Sequence, residues 1–265
     1  MRGKGNELRI LFIGASKFGL RCLKTVQEIP EMAVCGAVTN GETFSISYSD
    51  KPVRNVLHAD FLPYFSEYKI PYFLMKNSMK DIELVEWIQK LNPEFILVAG
   101  WYHMIPEEIL TIAPTGGLHA SLLPDYSGGA PLVWAIINGE KKTGISFFLF
   151  NKNVDSGLII GQREEEISDD DDIGSLYQRI EVKGLELLKT YLPRIINGTV
   201  EYREQDESKR RIMPQRTPDD GLIDLNLPGK KLYDFIRAQA PPYPGAFFKT
   251  IDGKKLIIEK ARLED

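Results

Sequence analysis

Imidazole paired with carboxylate is the side-chain combination best suited to moving protons near neutral pH. This chain offers one such pair in a suggestive setting. His119 follows the short approach Gly116-Gly117-Leu118 and precedes Ala120-Ser121-Leu122-Leu123-Pro124, at the end of an expected strand. Asp155 comes 36 residues later, on a loop between two apolar segments, and Ser156-Gly157 behind it suits a tight turn aimed back at the strand ends. Two further histidines are less pointed. His58 lies in a polar stretch and reads as a surface residue. His103 stands in Ala99-Gly100-Trp101-Tyr102-His103-Met104-Ile105-Pro106, at the carboxyl end of an expected parallel strand. Ligands of open α/β sheets gather there, so a site-lining and a structural role both stay open for His103.

Other chemistry-bearing patterns read as scaffold. Gly14-Ala15-Ser16-Lys17-Phe18-Gly19 has the outline of a dinucleotide fingerprint, with Ser16 where the second glycine must let the backbone approach a pyrophosphate. The next strand ends Val38-Thr39-Asn40, without the acidic residue that would hold a ribose, so the segment is expected to be a strand-to-helix turn. The four carboxylates Asp169 to Asp172 are sequence neighbours and cannot converge on a metal ion; N-capping of the following helix is their expected work. Cys22 and Cys35 lack partners at ligand or disulfide-framework spacing and are expected to be small, buried or semi-buried thiols.

The elements that must position His119 and Asp155 alternate between strand and helix. Leu8 to Ile13 is a short apolar run meeting Gly14, and Lys17 to Glu28 has a helical pattern that ends before Pro30. Strands are expected at Ala33 to Val38, Pro71 to Leu74 and Phe95 to Ala99, with an amphipathic helix over Met79 to Leu91. This order implies right-handed βαβ units and a mostly parallel sheet, an α/β fold. Further on, Leu132 to Asn138 reads as a helix, and Gly144 to Phe150 and Gly157 to Gln162 as strands. A long helix runs from Ile173 to Ile196, with Pro193 near its end and Asn197-Gly198 as its stop. The polar stretch Glu201 to Pro218 leads into a small α+β C-terminal unit, with a helix over Gly229 to Ala240 and a hairpin turn at Asp252-Gly253. The expected division is 1–200 for a catalytic domain and 201–265 for a subdomain.

Composition narrows the partners. The chain has 265 residues, 43% hydrophobic and 26% charged, with a net charge of -4. Nucleic-acid partners usually call for a basic excess. No apolar run reaches the roughly 20 residues of a membrane span, and no signal-like segment precedes the first strand. A cytoplasmic protein acting on a small molecule, without a metal, is the expectation.

The stretch from Gly116 to Gly161 resembles the core of the formyltransferases that use N10-formyltetrahydrofolate. The matching residues, in order, are His119, Ser121-Leu122-Leu123-Pro124, Tyr126, Gly128, Pro131, Thr143-Gly144 and Asp155-Ser156-Gly157, and Leu8 to Gly14 is similar to the family's opening strand. Arg216-Thr217-Pro218-Asp219-Asp220, Ile223-Asp224, Ile236-Arg237-Ala238 and Pro242-Tyr243-Pro244-Gly245-Ala246-Phe247 are similar to the sugar-nucleotide N-formyltransferases within it. The resemblance implies a Rossmann-like catalytic domain.

It also implies the reaction: a neutral substrate amine attacks the formyl carbon of the folate, with His119 as proton carrier or oxyanion partner and Asp155 as its carboxylate relay. Gly100, Trp101, Met104, Ile105, Asn153 and Val154 fall on the family's pterin-binding walls, Met104 and Ile105 as apolar surface. Gly117, Tyr126, Arg216 and Arg237 fall on substrate-contacting positions. The implied acceptor is the amine of a nucleotide-linked amino sugar in surface-glycan synthesis, and the implied assembly a homodimer. The alternatives are a methionyl-tRNA formyltransferase and a non-catalytic folate-binding homologue. Two departures bear on the site. Gly117 replaces the family's Asn, whose amide polarises the formyl oxygen; a water in the vacated space, protonated His119 or a backbone N–H is expected to take over that part. Ser127 replaces the family's Arg before Gly128.

Overall fold

The computed structural model describes residues 7–46 and 49–264. In chain order the elements are β1 (Leu8–Ile13), α1 (Lys17–Glu28), β2 (Met32–Asn40), β3 (Thr43–Ile46), β4 (Ser49–Arg54), α2 (Leu62–Tyr68) and β5 (Tyr72–Met75). These are followed by α3 (Ile82–Leu91), β6 (Phe95–Val98), α4 (Glu107–Leu110), β7 (Thr115–His119), β8 (Ser127–Gly128), α5 (Pro131–Ile137), β9 (Lys142–Leu149) and β10 (Ile159–Glu166). The last are α6 (Ile173–Ile196), β11 (Ile212–Met213), α7 (Gly229–Arg237), β12 (Ala246–Lys249) and β13 (Lys255–Ile258).

The chain folds as two compact units. The first gathers Met1–His119, Phe147–Gly161 and Gly184–Glu204; the second gathers Ala120–Ser146, Gln162–Lys183 and Gln205–Asp265. A mostly parallel sheet has seven strands in the order β10-β9-β7-β6-β1-β2-β5; β1, β2, β5, β6 and β7 belong to the first unit, while β9 and β10 are divided between the two. Its central strands are apolar almost throughout, because a parallel sheet is covered on both faces. Leu11, Ile13, Val38, Ile96 and Val98 pack with Leu84, Ile88 and Ile109 in one core cluster.

The register decides where the chemistry can sit. Ile13 pairs with Val38 and with Val98, and Val98 pairs with Gly117, all in parallel. The carboxyl ends of β1, β2, β6 and β7 therefore open on one edge, which carries Gly14, Asn40, Gly100 and His119. The Gly14-to-Gly19 turn is scaffold, as expected. Ser16 Oγ accepts from Gly19 N at 3.1 Å and caps α1, and a Cβ on Gly19 would lie 2.5 Å from Ala99 O. These glycines let helix and strand touch; they do not cradle a phosphate.

Some elements had no sequence expectation: the β3–β4 hairpin and α2. His58 is a correction. It is half-buried, bridges to Ser16 through its backbone, and its Nδ1 is buried without a partner among the described residues. Cys22 is buried and Cys35 half-buried, and burial pushes the Cys35 thiol pKa up.

In the second unit β8 pairs with β11 in parallel and β12 with β13 antiparallel, the latter around a turn with Gly253 at φ 79°. The acidic run before α6 behaves as a cap: Asp172 Oδ1 accepts from Ser175 N at 2.9 Å, and Asp171 takes the Arg179 guanidinium at 2.7 Å. Among the described residues no helix is long and apolar enough to cross a membrane.

Candidate active site

Each half of the pair is set by local geometry in the first unit. His119 is the last residue of β7, so the sheet aims its ring at the carboxyl edge. Asp155 sits in a left-handed conformation, φ 48°, on the loop between β9 and β10. That loop is pinned from within. Leu149 N donates to Leu158 O at 2.8 Å, and Asn151 Oδ1 accepts from Asn153 N at 2.9 Å and from Ser156 Oγ at 2.8 Å. Gly157 passes so close to Leu149 O that no side chain could stand on it.

The result is His119 Nδ1 at 3.5 Å from Asp155 Oδ2, with side chains 12% and 19% exposed. This is an ion-pair separation, longer than a short hydrogen bond, and compatible with a pair that tightens around substrate. Nδ1 is the ring nitrogen turned to the carboxylate.

Beside His119, the space at Gly117 is occupied by its neighbours. A Cβ on Gly117 would lie 2.6 Å from Cζ of Phe150 and 2.7 Å from Val98 O, so the Phe150 ring already fills that place. The expectation of a water there is corrected on steric grounds.

The remaining first-unit candidates separate by burial. Gly100, at φ 63°, packs against Ser16 and admits no side chain. Met104 is 60% and Val154 42% exposed, and Asn153 is exposed. Ile105 belongs to the core cluster at 7% exposure, so it supports the 100–105 loop from below and offers no pterin-facing surface. Trp101 is half-buried, and its indole Nε1 is buried without a partner among the described residues.

Sequence reasoning missed a polar cluster on the same edge. Asn40 Nδ2 lies 3.3 Å from His103 Nε2, while Asn40 Oδ1 and Thr39 Oγ1 are buried without partners among the described residues. The His103 ring lies 5.0 Å from Phe44 and 5.2 Å from Trp101, and burial lowers its pKa. Tyr102 Oη donates to Asn55 Oδ1 at 3.1 Å. The signal for Asn40 was its place at the end of β2, read only for the carboxylate it lacks. Unpaired buried polar groups are costly, and three of them, Thr39 Oγ1, Asn40 Oδ1 and Trp101 Nε1, lie at or just beyond the carboxyl ends of β2 and β6.

The second unit holds Tyr126, Arg216 and Arg237. Tyr126 Oη donates to Glu140 Oε1 at 2.7 Å and accepts from Asn138 Nδ2 at 3.1 Å; burial, then the Glu140 contact, pushes its pKa up to about 12. Arg216 is half-buried over the Trp134 ring at 4.8 Å and bonds Asp220 O and Gln239 Oε1. Arg237 is 6% exposed. Its Nε holds Asp234 Oδ1 at 2.8 Å and its Nη1 the carbonyls of Ser168 and Asp171 at 2.8 and 2.7 Å, which makes it an internal clamp. Ser127, where an Arg was expected, accepts from Arg210 Nη1 at 2.9 Å.

The model of the formyl transferase family matches residues 38–192, and that of the formyl transferase C-terminal domain matches residues 216–265. The chain belongs to the formyl transferase family. It is an enzyme of formyl-group transfer. Among its relatives is the bifunctional polymyxin resistance protein ArnA of Wigglesworthia glossinidia brevipalpis, 35% identical over 74% of this chain, which spans only 30% of ArnA. The methionyl-tRNA formyltransferase of Caldanaerobacter subterraneus subsp. tengcongensis is 34% identical over 97% of this chain and 81% of its own length. A 4-N formyltransferase from Francisella tularensis superposes with a TM-score of 0.76 at 18% identity, covering 98% of this chain and 100% of that one, and this likeness speaks for the fold.

Proposed function

We propose that this formyl transferase moves the formyl group of N10-formyltetrahydrofolate to the amine of a nucleotide-linked amino sugar, with His119 and Asp155 as its catalytic residues. The observation that carries the reaction is the His119 Nδ1 to Asp155 Oδ2 contact at the end of β7. The donor supplies, when bound, a formyl carbon on nitrogen. The 100–105 loop suits a flat heteroaromatic donor. Trp101 Nε1 is a buried donor without a partner among the described residues, and exposed Met104 and Val154 are apolar surfaces for a ring to cover. An amine that attacks the formyl carbon forms the new C–N bond as the old one breaks, sheds one proton, and leaves the departing nitrogen needing one. His119 Nε2 accepts the first and returns it to the second. Asp155 keeps Nδ1 protonated and balances the charge while His119 carries the extra proton.

The small-molecule acceptor is supported by charge. The net charge is -4, and Arg210, Arg211 and Arg216 of the 201–218 stretch are engaged internally. Arg211 holds Asp125 and Glu140 at 2.5 and 3.0 Å, Arg210 holds Glu207 at 2.5 Å, and Arg216 is stacked on Trp134. A surface that reads phosphates would leave such cations free. Methionyl-tRNA as acceptor is the second reading, favoured by 34% identity over 97% of the chain to the Caldanaerobacter enzyme. The test is direct. The protein is incubated with formyl donor and either a panel of nucleotide-linked amino sugars or initiator methionyl-tRNA, and the products are weighed. A formylated sugar supports the first reading, formyl-methionyl-tRNA the second, and donor binding without either product a non-catalytic homologue.

A further inference from the structure

The catalytic strand carries a glycine two residues before His119, and the reason lies on the neighbouring chain segment. A Cβ on Gly117 would fall 2.6 Å from Cζ and 2.8 Å from Cε1 of Phe150. No other side chain fits while that ring stays in place. The ring is anchored at both ends. Phe150 N donates to Thr115 O at 2.7 Å, and the ring packs on Phe148 with centroids 4.9 Å apart. Phe148, fully buried, meets the His119 ring at 6.5 Å and 82°, an edge-to-face contact. Three aromatic rings thus run from the Gly117 notch to the imidazole that faces Asp155.

We propose that Phe150 is the positioning residue of this site: seated in the Gly117 notch, it holds Phe148 against the His119 ring and so fixes the imidazole with Nδ1 toward Asp155. The notch at Gly117 is closed by the Phe150 ring on one side and by Val98 O, 2.7 Å from the Cβ position, on the other. The place that a polar side chain at position 117 would take is hydrocarbon, and His119 is the side chain left to meet developing charge from this strand. The inference deepens the formyl-transfer reading and rests on it for its kinetic part.

The test compares wild type with Phe150→Ala and Phe150→Leu by steady-state kinetics across pH, and by ¹⁵N spectra of the His119 imidazole, each below the variant's unfolding temperature. Misplacing a proton carrier lowers kcat by about ten- to a hundredfold; Phe150→Ala shows that loss with KM for the amine little changed, an altered pH profile, and loss of the Nδ1-protonated imidazole signal. Phe150→Leu, which refills most of the notch, recovers the greater part of all three. A folded Phe150→Ala whose kcat, pH profile and imidazole spectrum match wild type overturns the proposal while leaving formyl transfer intact. The spectra need no substrate, so they decide the role of Phe150 even if no acceptor is turned over; should Phe150→Ala not fold, Phe150→Leu and its spectrum carry the comparison.

Discussion

His119 and Asp155 matter through what 3.5 Å between Nδ1 and Oδ2 allows. In the proposed reaction the carboxylate selects one imidazole tautomer and offsets the charge of the imidazolium. Replacing His119 by Asn or Asp155 by Asn is expected to cut kcat by about 10²–10⁴-fold, the range of a lost general acid–base, with donor binding retained; kinetics beside a donor-binding titration check both halves. Trp101→Phe removes an indole N–H that is buried without a partner among the described residues. One hydrogen bond of about 1 kcal/mol corresponds to a donor Kd weakened about fivefold, measurable by calorimetry. At this scale the sequence singled out His119 and Asp155 through the ordered motif between them and its resemblance to the family, and the structure places the two side chains 3.5 Å apart. Phe150 was invisible, since its meaning depends on Gly117 on another strand. Ile105 and Arg237 were misplaced for a related reason: burial is decided by what packs over a residue, and neither residue's neighbours show that.

Among the elements, α6 begins beside two carboxylates with separate work: Asp172 caps the helix and Asp171 holds Arg179. The Arg179 contact, helped by Ser175 and the Ser168 backbone, holds the Asp171 pKa down to about 2 from 3.8, against the opposing effect of burial. A carboxyl with a depressed folded pKa stabilises above its unfolded value, and that stability fades as pH falls through the folded one. Loss is therefore expected between about pH 5 and pH 2. Arg179 is 39% exposed, so solvent screening trims the contribution to about 1–2 kcal/mol. Asp171→Asn should lower the unfolding temperature at pH 7 and flatten the acid limb of its pH dependence, as followed by thermal melts. Most elements were legible from periodicity: α1 falls on Lys17–Glu28 and α6 on Ile173–Ile196 as read. The β3–β4 hairpin was not: Thr43-Phe44-Ser45-Ile46 does alternate, but over four residues only, and its partner Ser49–Arg54 is polar and carries Pro52, which argues against a strand. Nor did any local signal announce that β8 pairs with β11, which gathers residues 127–128 and 212–213 into one unit.

For the whole molecule, charge is the property that separates the two acceptors. An acidic chain whose Arg210 and Arg211 are engaged with Glu207, Asp125 and Glu140 has fewer cations with which to release counterions from a tRNA. Turnover of its acceptor should accordingly vary little between 50 and 200 mM salt, whereas a protein making 6–10 phosphate contacts would lose about 10³–10⁵ in affinity. The central claim, formyl transfer by His119 and Asp155 to a small amine, is met most directly by one measurement. Wild type and His119→Asn are each given formyl donor and a panel of nucleotide-linked amino sugars, and the sugars are weighed by mass spectrometry. The account predicts a sugar heavier by one formyl group with wild type and none above background with His119→Asn. Equal product from both proteins, or none from wild type, would contradict it.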